Sequence, residues 1–211
     1  MAKAADCGRE GRMALAELVA RTRTVRRFRE EAPLAPALLE QLVDLARLGG
    51  SARNAQSLCY LVVTEPALRA ALFPLLAWAG YLPDWPGPAA GERPAAYVVC
   101  VLDRERQRGP ESEAHFDLGI STQNLLLGAA EHGVMGCRIG AFPADKVRTL
   151  LQLDARYQPL LVVALGEPAE TVVLETVGPE GDIRYWHDTD GVHHVPKRPL
   201  GDILLAPPAR P

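Results

Sequence analysis

The segment from about Ala114 to His132 predicts a long helix that is apolar on almost every face. At 1.5 Å per residue, this helix would be roughly 28 Å long. A helix that is apolar on most faces must also be buried on most faces. Two arrangements meet this requirement: the rest of the chain wraps around the helix, or a second subunit covers the face that the chain leaves open.

Short apolar runs alternate with helical patterns along the rest of the chain. Helices are predicted at about 13–20, 37–48, 114–132 and 144–151 and from Pro66, and strands at 59–64, 95–102, 135–140 and 160–166. Asp190-Gly191 lies between two short extended runs and indicates a hairpin. This alternation favours an α/β or α+β fold over a helical bundle. We expect one domain, 13–205, between a loose N-terminal tail, 1–12, and a C-terminal tail, 206–211.

Composition excludes several classes of protein. Of the 211 residues, 48% are hydrophobic and 23% are charged, and the net charge is −3. This is the balance of a globular protein without a basic field for nucleic acid or an anionic membrane. The apolar run from Leu160 to Leu165 is far shorter than the roughly 20 residues that cross a bilayer. No secretory signal opens the chain, so we expect a cytoplasmic protein.

The cysteines and histidines show no pattern typical of a metal site. The four cysteines include no C-x-x-C pair, which is compatible with reduced thiols. The five histidines show no H-E-x-x-H or comparable ligand spacing, so we predict no protein-bound metal. No Ser–His–Asp or Cys–His set can be assembled either. We therefore expect a bound cofactor to supply the chemistry.

Five arginines form the most prominent local feature of the sequence. They are Arg21, Arg23, Arg26, Arg27 and Arg29, with threonines at positions 22 and 24 between them. Guanidinium groups bind phosphate bidentately and threonine hydroxyls add donors, so the cluster is a candidate phosphate clamp. If the segment were a helical turn, Arg23 and Arg26 would share a face. The alternative interpretation is a solvated surface patch.

Two further segments and one basic pair are weaker candidates. Ser51 is predicted to cap a short helix that runs through Asn54 and Gln56. The amide of Asn54 suits either helix capping or the polar edge of a flat heterocycle. Gly133 to Gly140 is a glycine-spaced strand, which is typical of close approach to a neighbour or a ligand. Lys197 and Arg198 form a basic pair near the C-terminus.

The segment 74–94 differs from the rest of the chain because it holds five prolines and three glycines. It also holds the aromatic residues Trp78, Tyr81 and Trp85. It is too rich in proline for one continuous helix. These aromatic side chains could enclose a substrate, or they could pack the segment itself.

Taken together, these pieces resemble the FMN-dependent nitroreductase family. The motifs that carry the resemblance follow in order along residues 14 to 204: Arg23-Thr-Val-Arg-Arg-Phe28, Ser51 to Gln56, Asp117 to Leu125, Gly136-Cys-Arg-Ile-Gly-Ala-Phe142, Leu161 to Pro168 and Lys197-Arg-Pro-Leu200. Two departures are visible: Ser57 stands where the family usually has proline, and no Glu-Gly pair is evident beside the expected flavin site.

The resemblance implies an α+β fold with three layers, α/β/α, around a mixed and mainly antiparallel sheet with a long buried central helix. It also implies a homodimer with FMN at the subunit interface. The cofactor-binding residues that it implies are Arg23, Thr24 and Arg26 with Lys197 or Arg198 for the phosphate, Asn54 and Gln56 for the isoalloxazine or ribityl groups, and backbone at Ile139 and Gly140 facing the flavin. The segment 74–94 would be a lid whose Trp78, Tyr81 and Trp85 line the substrate pocket.

The resemblance further implies an NADH- or NADPH-dependent oxidoreductase that reduces a small acceptor by ping-pong hydride transfer. The acceptor could be a nitroaromatic compound, a quinone or an enone. Two alternatives stay open: a flavin-binding carrier or sensor without turnover, and a branch of the same family that fragments the flavin.

Overall fold

The computed structural model of the protein describes residues 14–82 and 84–207. The expected N-terminal tail, 1–12, and residues 208–211 of the expected C-terminal tail lie outside these ranges, as does Pro83 in the segment 74–94. The helices are α1 (Leu15–Arg21), α2 (Pro36–Arg47), α3 (Pro66–Leu72), α4 (Glu111–Glu131), α5 (Ala144–Leu150) and α6 (Leu200–Ile203). The strands are β1 (Leu58–Val63), β2 (Ala96–Asp103), β3 (Met135–Ile139), β4 (Tyr157–Gly166), β5 (Val172–Thr176), β6 (Trp186–His187) and β7 (His193–Lys197).

A four-stranded antiparallel sheet, in the order β1-β2-β4-β3, forms the centre of the protein. Every residue of β2 is buried, because this strand is paired on both edges and covered on both faces. Its side chains alternate between two cores, as the period of a strand requires. Val98 and Cys100 pack toward α2 and α4, while Tyr97 and Val99 pack toward α3 and α5. The predicted three-layer α+β fold is confirmed.

Helix α4 begins at Glu111, one turn before the predicted start, because Pro110 and two acidic residues of its first turn favour a helix N-terminus. The chain buries about half of the residues of this helix, including Leu118, Leu125 and Ala129. It does not wrap the helix completely: Phe116 is 71% exposed and Ile120 is 45% exposed. These two residues are one turn apart, so they form a single apolar face that the chain leaves open.

The C-terminal part adds a second, three-stranded sheet in the order β5-β7-β6. The predicted hairpin is confirmed: β6 and β7 pair antiparallel around Gly191, which has a φ of 77°. The sequence does not predict β5, which pairs parallel with β7. In β5 the apolar Leu174 is exposed and the charged Glu175 is half-buried. Apolar and polar residues therefore do not alternate along this segment as they do in a typical half-buried strand.

Gly136 in β3 leaves no room for a side chain. A Cβ at this position would lie 2.6 Å from the carbonyl oxygen of Ala164 and 2.7 Å from a methyl group of Leu126. The carbonyl belongs to the paired strand β4 and cannot move without breaking the sheet.

We predict that Gly136→Ala lowers the free energy of unfolding by about 1–3 kcal/mol, as overpacking does. Urea unfolding checks this value, with Gly201→Ala as the control because nothing lies within 4 Å of a Cβ there. Equal stabilities of the two variants would contradict the prediction.

Candidate functional site

The clamp segment, residues 22–27, is extended rather than helical, because α1 ends at Arg21. Thr24 forms a parallel bridge with Gly136, and the N–H of Val25 donates to the Gly136 carbonyl at 3.1 Å. The side chain of Val25 is buried and anchors the segment to the core. The expectation that Arg23 and Arg26 share a helical face is therefore wrong, since pairing with β3 holds this stretch extended.

The segment nevertheless brings both arginines to one cavity of about 410 Å³. The residues that line it are Thr22, Arg23, Thr24, Arg26, Gln123, Leu126, Gly136, Arg138, Tyr185, His193, Val195 and Lys197. Four of these side chains are cationic and none of the lining residues is acidic. The cavity thus brings together four of the predicted phosphate ligands: Arg23, Thr24, Arg26 and Lys197. The fifth, Arg198, is exposed and does not line the cavity.

Several guanidinium donors at this cavity are buried without a partner. Nε of Arg23, and Nε and Nη1 of Arg26, have no hydrogen bond to any described residue. Burial lowers the pKa of Arg23, and the Arg26 guanidinium lies over the Tyr185 ring, 4.5 Å from its centroid. A buried donor without an acceptor costs about 1–3 kcal/mol, more when it is charged. The cavity therefore suits an anion that accepts several hydrogen bonds.

Glu170 holds the backbone of the clamp segment from behind. Its Oε1 accepts hydrogen bonds from the backbone N–H groups of Arg26 and Arg27, and its side chain is 2% exposed. No local pattern in the sequence marks Glu170 as a functional residue. Arg138 is a further cationic residue at the cavity that the sequence does not predict, although it is the one charged residue of the predicted strand 135–140.

The Ser51–Gln56 segment lies at a second cavity, of about 380 Å³, between α2, α4 and β1. The Asp117 carboxylate, 6% exposed, accepts hydrogen bonds from the Ser51 hydroxyl at 2.7 Å and from the Ala52 N–H at 2.9 Å. Around this anchor the chain forms one 3₁₀ turn instead of the predicted short helix. Asn54 and Gln56 have φ angles of 52° and 49°, a conformation that non-glycine residues rarely adopt outside functional or strained sites.

Within one chain, the Ser51–Gln56 segment does not contribute to the cationic cavity at the clamp segment. The side chains of Asn54 and Gln56 are exposed, and neither lines the cationic cavity. Asp117 and Ser121 of α4 face the second cavity, whereas Gln123 of the same helix faces the cationic one. The two predicted halves of the cofactor site therefore lie on different faces of α4.

Ile139 and Gly140 lie at the end of β3, next to Arg138 of the cationic cavity but outside its lining. Ile139 is buried and Gly140 is exposed. The segment 74–94 reaches this end of the strand, since the N–H of Ala77 donates to the Ala141 carbonyl at 2.9 Å. The predicted lid is thus attached beside the predicted flavin-facing backbone.

The three aromatic residues predicted to line the substrate pocket have different environments. Trp78 is 9% exposed and packs against Phe73, with a centroid distance of 5.8 Å, so its observed contacts are those of a core residue. Tyr81 packs on Tyr185 at 5.0 Å, and its N–H donates to the Tyr185 hydroxyl. Tyr81 and Trp85 line a third cavity, of about 390 Å³. The segment 74–94 therefore contacts the clamp segment through Tyr185, which packs on both Tyr81 and Arg26.

Within the described ranges, no helix is both long and apolar enough to cross a membrane.

Comparison with known proteins agrees with this geometry. The sequence model of the Nitroreductase family matches residues 19–167. An oxygen-insensitive NADPH nitroreductase of Salmonella typhimurium is 27% identical over 202 residues, which cover 90% of this chain and 77% of the relative.

Two solved structures show the same fold. A nitroreductase family protein of Streptococcus pneumoniae superposes with a TM-score of 0.64 at 18% identity, covering 79% of this chain and 96% of that one. A protein of Desulfovibrio desulfuricans in complex with FMN superposes with a TM-score of 0.63 at 22% identity, covering 92% of this chain and 97% of that one. The sequence motifs, the three-layer fold and the family match lead to one conclusion: this chain belongs to the nitroreductase family of oxidoreductases.

Proposed function

We propose that the protein is an FMN-dependent oxidoreductase that uses NADH or NADPH to reduce a small acceptor such as a nitroaromatic compound, a quinone or an enone. The observation that carries this proposal is the set of buried, unpartnered donors of Arg23 and Arg26 at the cationic cavity. A phosphate monoester matches these donors in charge and in number of acceptors. The FMN bound by the Desulfovibrio relative carries such a group.

The residues at the cavity fit the phosphate end of FMN. Arg23 and Arg26 would donate to the phosphate oxygens, the Thr24 hydroxyl would add a donor, and Lys197 would supply a further positive charge. Arg138 adds a cation that the sequence analysis did not predict. The backbone at Ile139 and Gly140, close to Arg138 along β3, would face the flavin.

Bound FMN would supply the chemistry by accepting hydride from the reduced nicotinamide and passing it to the acceptor. The protein would bind and orient the reactants. Backbone N–H groups and the cationic side chains of the cavity would stabilise the negative charge of the reduced cofactor. The lid would limit access of water, since it is tied both to the end of β3 and to Tyr185.

We further propose that the active form is a homodimer with the cofactor at the interface. Two observations support this arrangement: the open apolar face of α4, and the separation of Asn54 and Gln56 from the clamp within one chain. A second copy packed on α4 would bury Phe116 and Ile120. It would also let the Ser51–Gln56 segment of one protomer approach the clamp of its partner.

If α4 is the dimer interface, Phe116→Glu places a charge in it. We predict a shift from dimer to monomer and a loss of bound FMN, because a buried unpaired carboxylate is strongly unfavourable. Light scattering coupled to size-exclusion chromatography measures the mass. Val62→Glu, also at an exposed apolar position, is the control and should remain dimeric. A wild-type protein that is a stable, FMN-binding monomer would rule the arrangement out.

Loss of the clamp should weaken binding of the phosphate specifically. We predict that Arg23→Ala weakens FMN binding by about 2–4 kcal/mol, since a charged hydrogen-bonding partner is removed. Riboflavin, which lacks the phosphate, should bind the wild type weakly and respond little to the change. The exposed Arg29 provides the control variant Arg29→Ala. Fluorescence titration with both flavins decides the matter, and equal losses for Arg23→Ala and Arg29→Ala would show that the arginines form a surface patch.

Turnover is tested by the visible spectrum of the FMN-loaded protein under anaerobic conditions. We expect NADH or NADPH to bleach the flavin absorption, and addition of an acceptor to restore it. A flavin spectrum that neither nucleotide changes would indicate a carrier or a sensor. Mass spectrometry of the flavin after aerobic reduction would reveal the flavin-fragmenting branch.

A further inference from the structure

Three potential metal ligands meet behind the clamp, where the β6–β7 hairpin packs against the loop that follows β4. Nε2 of His187 lies 3.5 Å from Oε2 of Glu170, and Nδ1 of His193 lies 3.9 Å from the same oxygen. One ligand atom from each residue lies within 4.8 Å of those of the other two. The carboxylate and the two imidazole rings are thus close enough together to contact one ion.

Two of these side chains are almost completely buried. The side chains of His193 and Glu170 are 1% and 2% exposed. Neither ring nitrogen of His193 has a hydrogen-bond partner among the described residues. A buried polar group without a partner is unfavourable, so the structure indicates that something beyond these side chains satisfies His193. A neutral imidazole carries a lone pair that can bind a metal.

The next histidine along the chain, His194, contacts two carboxylates directly. Nδ1 of His194 contacts the Glu175 carboxylate at 2.5 Å, and Nε2 contacts the Asp188 carboxylate at 3.1 Å. Both nitrogens of His194 are therefore satisfied by direct contacts. Nδ1 of His193, by contrast, lies 3.9 Å from Oε2 of Glu170, beyond hydrogen-bond distance, while Nε2 of His187 lies at the limit of that distance, 3.5 Å from the same oxygen. Metal–ligand bonds of about 2.0–2.2 Å place two ligands of one ion roughly 3.5 Å apart, close to the separations observed.

We propose that Glu170, His187 and His193 form a binding site for one divalent transition-metal ion, with two imidazole nitrogens and one carboxylate oxygen as protein ligands. This donor set suits Zn²⁺ and Co²⁺ rather than Mg²⁺ or Ca²⁺, which prefer oxygen ligands. His187 is only partly buried, so a water molecule can complete the coordination. The site differs from the sequence-based prediction of no metal because its ligands come from three separate segments and no spacing reveals them.

The ion would tie the hairpin to the clamp. Oε1 of Glu170 holds the backbone N–H groups of Arg26 and Arg27, while Oε2 faces both histidines. One carboxylate would therefore connect the metal to the clamp segment. The ion would act as a structural brace that fixes the orientation of Glu170 and takes no part in the redox reaction.

The test uses the purified full-length protein, first treated with a chelator and then titrated with Zn²⁺ or Co²⁺ in the absence of FMN. We expect one ion per chain, a rise in melting temperature with Zn²⁺, and visible Co²⁺ absorption bands typical of nitrogen and oxygen ligands. These readouts do not depend on flavin, so they separate this proposal from the proposed function.

Three variants locate the site. His187→Gln and Glu170→Gln should each weaken Co²⁺ binding about tenfold or more and abolish the thermal shift. Glu170→Gln keeps an oxygen that can accept from the N–H groups of Arg26 and Arg27, so it removes the anionic ligand while preserving the anchor. His132→Gln, at an exposed histidine beyond the end of α4, should leave binding unchanged. Absence of stoichiometric binding to the wild type, or equal binding by His187→Gln and His132→Gln, would overturn the proposal.

Discussion

The pairing of the clamp segment with β3 is the contact on which the site depends. One hydrogen bond, from Val25 to Gly136, and one bridge, at Thr24, hold the segment along the sheet. Gly136 is itself tightly packed in β3, where a Cβ would lie too close to the Ala164 carbonyl of β4 and to Leu126 of α4. The carboxylate of Glu170 holds the same segment by accepting hydrogen bonds from the backbone N–H groups of Arg26 and Arg27. The positions of Arg23 and Arg26 therefore follow from backbone pairing and owe little to the arginines themselves.

The cavity concentrates positive charge in a chain whose net charge is negative. The cationic side chains of the cavity come from the clamp segment, from β3 and from β7, and no carboxylate lines the cavity with them. Carboxylates elsewhere pair with other arginines, as Glu113 does with Arg53 and Glu105 with Arg156. Such a separation of charge creates a local positive field that bulk net charge does not reveal. Partial burial strengthens the interaction of this field with an anion.

Much of the fold was predictable because its elements carry strong local patterns. The apolar runs of β2 and β4 identify the sheet, and the apolar length of α4 identifies the main helix that covers one of its faces. Pro66 and Asp190-Gly191 mark a helix start and a hairpin. The secondary structure predicted from the sequence is wrong where a long-range contact overrides the local conformational preference. Asp117 of α4 holds Ser51 and Ala52 and replaces a short helix by a 3₁₀ turn. Pairing with Gly136 replaces the expected helical turn at Arg23 by extended chain.

The sequence by itself determined the family, the three-layer fold and the local character of the clamp, because motifs in order and apolar periodicity are properties of neighbouring residues. Only the tertiary structure decided which distant groups meet. It brought Lys197 and Arg138 to the clamp and left Arg198 outside. It also placed Asn54 on another face of α4 and gathered Glu170, His187 and His193 behind the arginines. These groups lie far apart along the chain, and their distances are set by how the sheet, α4 and the C-terminal hairpin pack together, which no local spacing encodes.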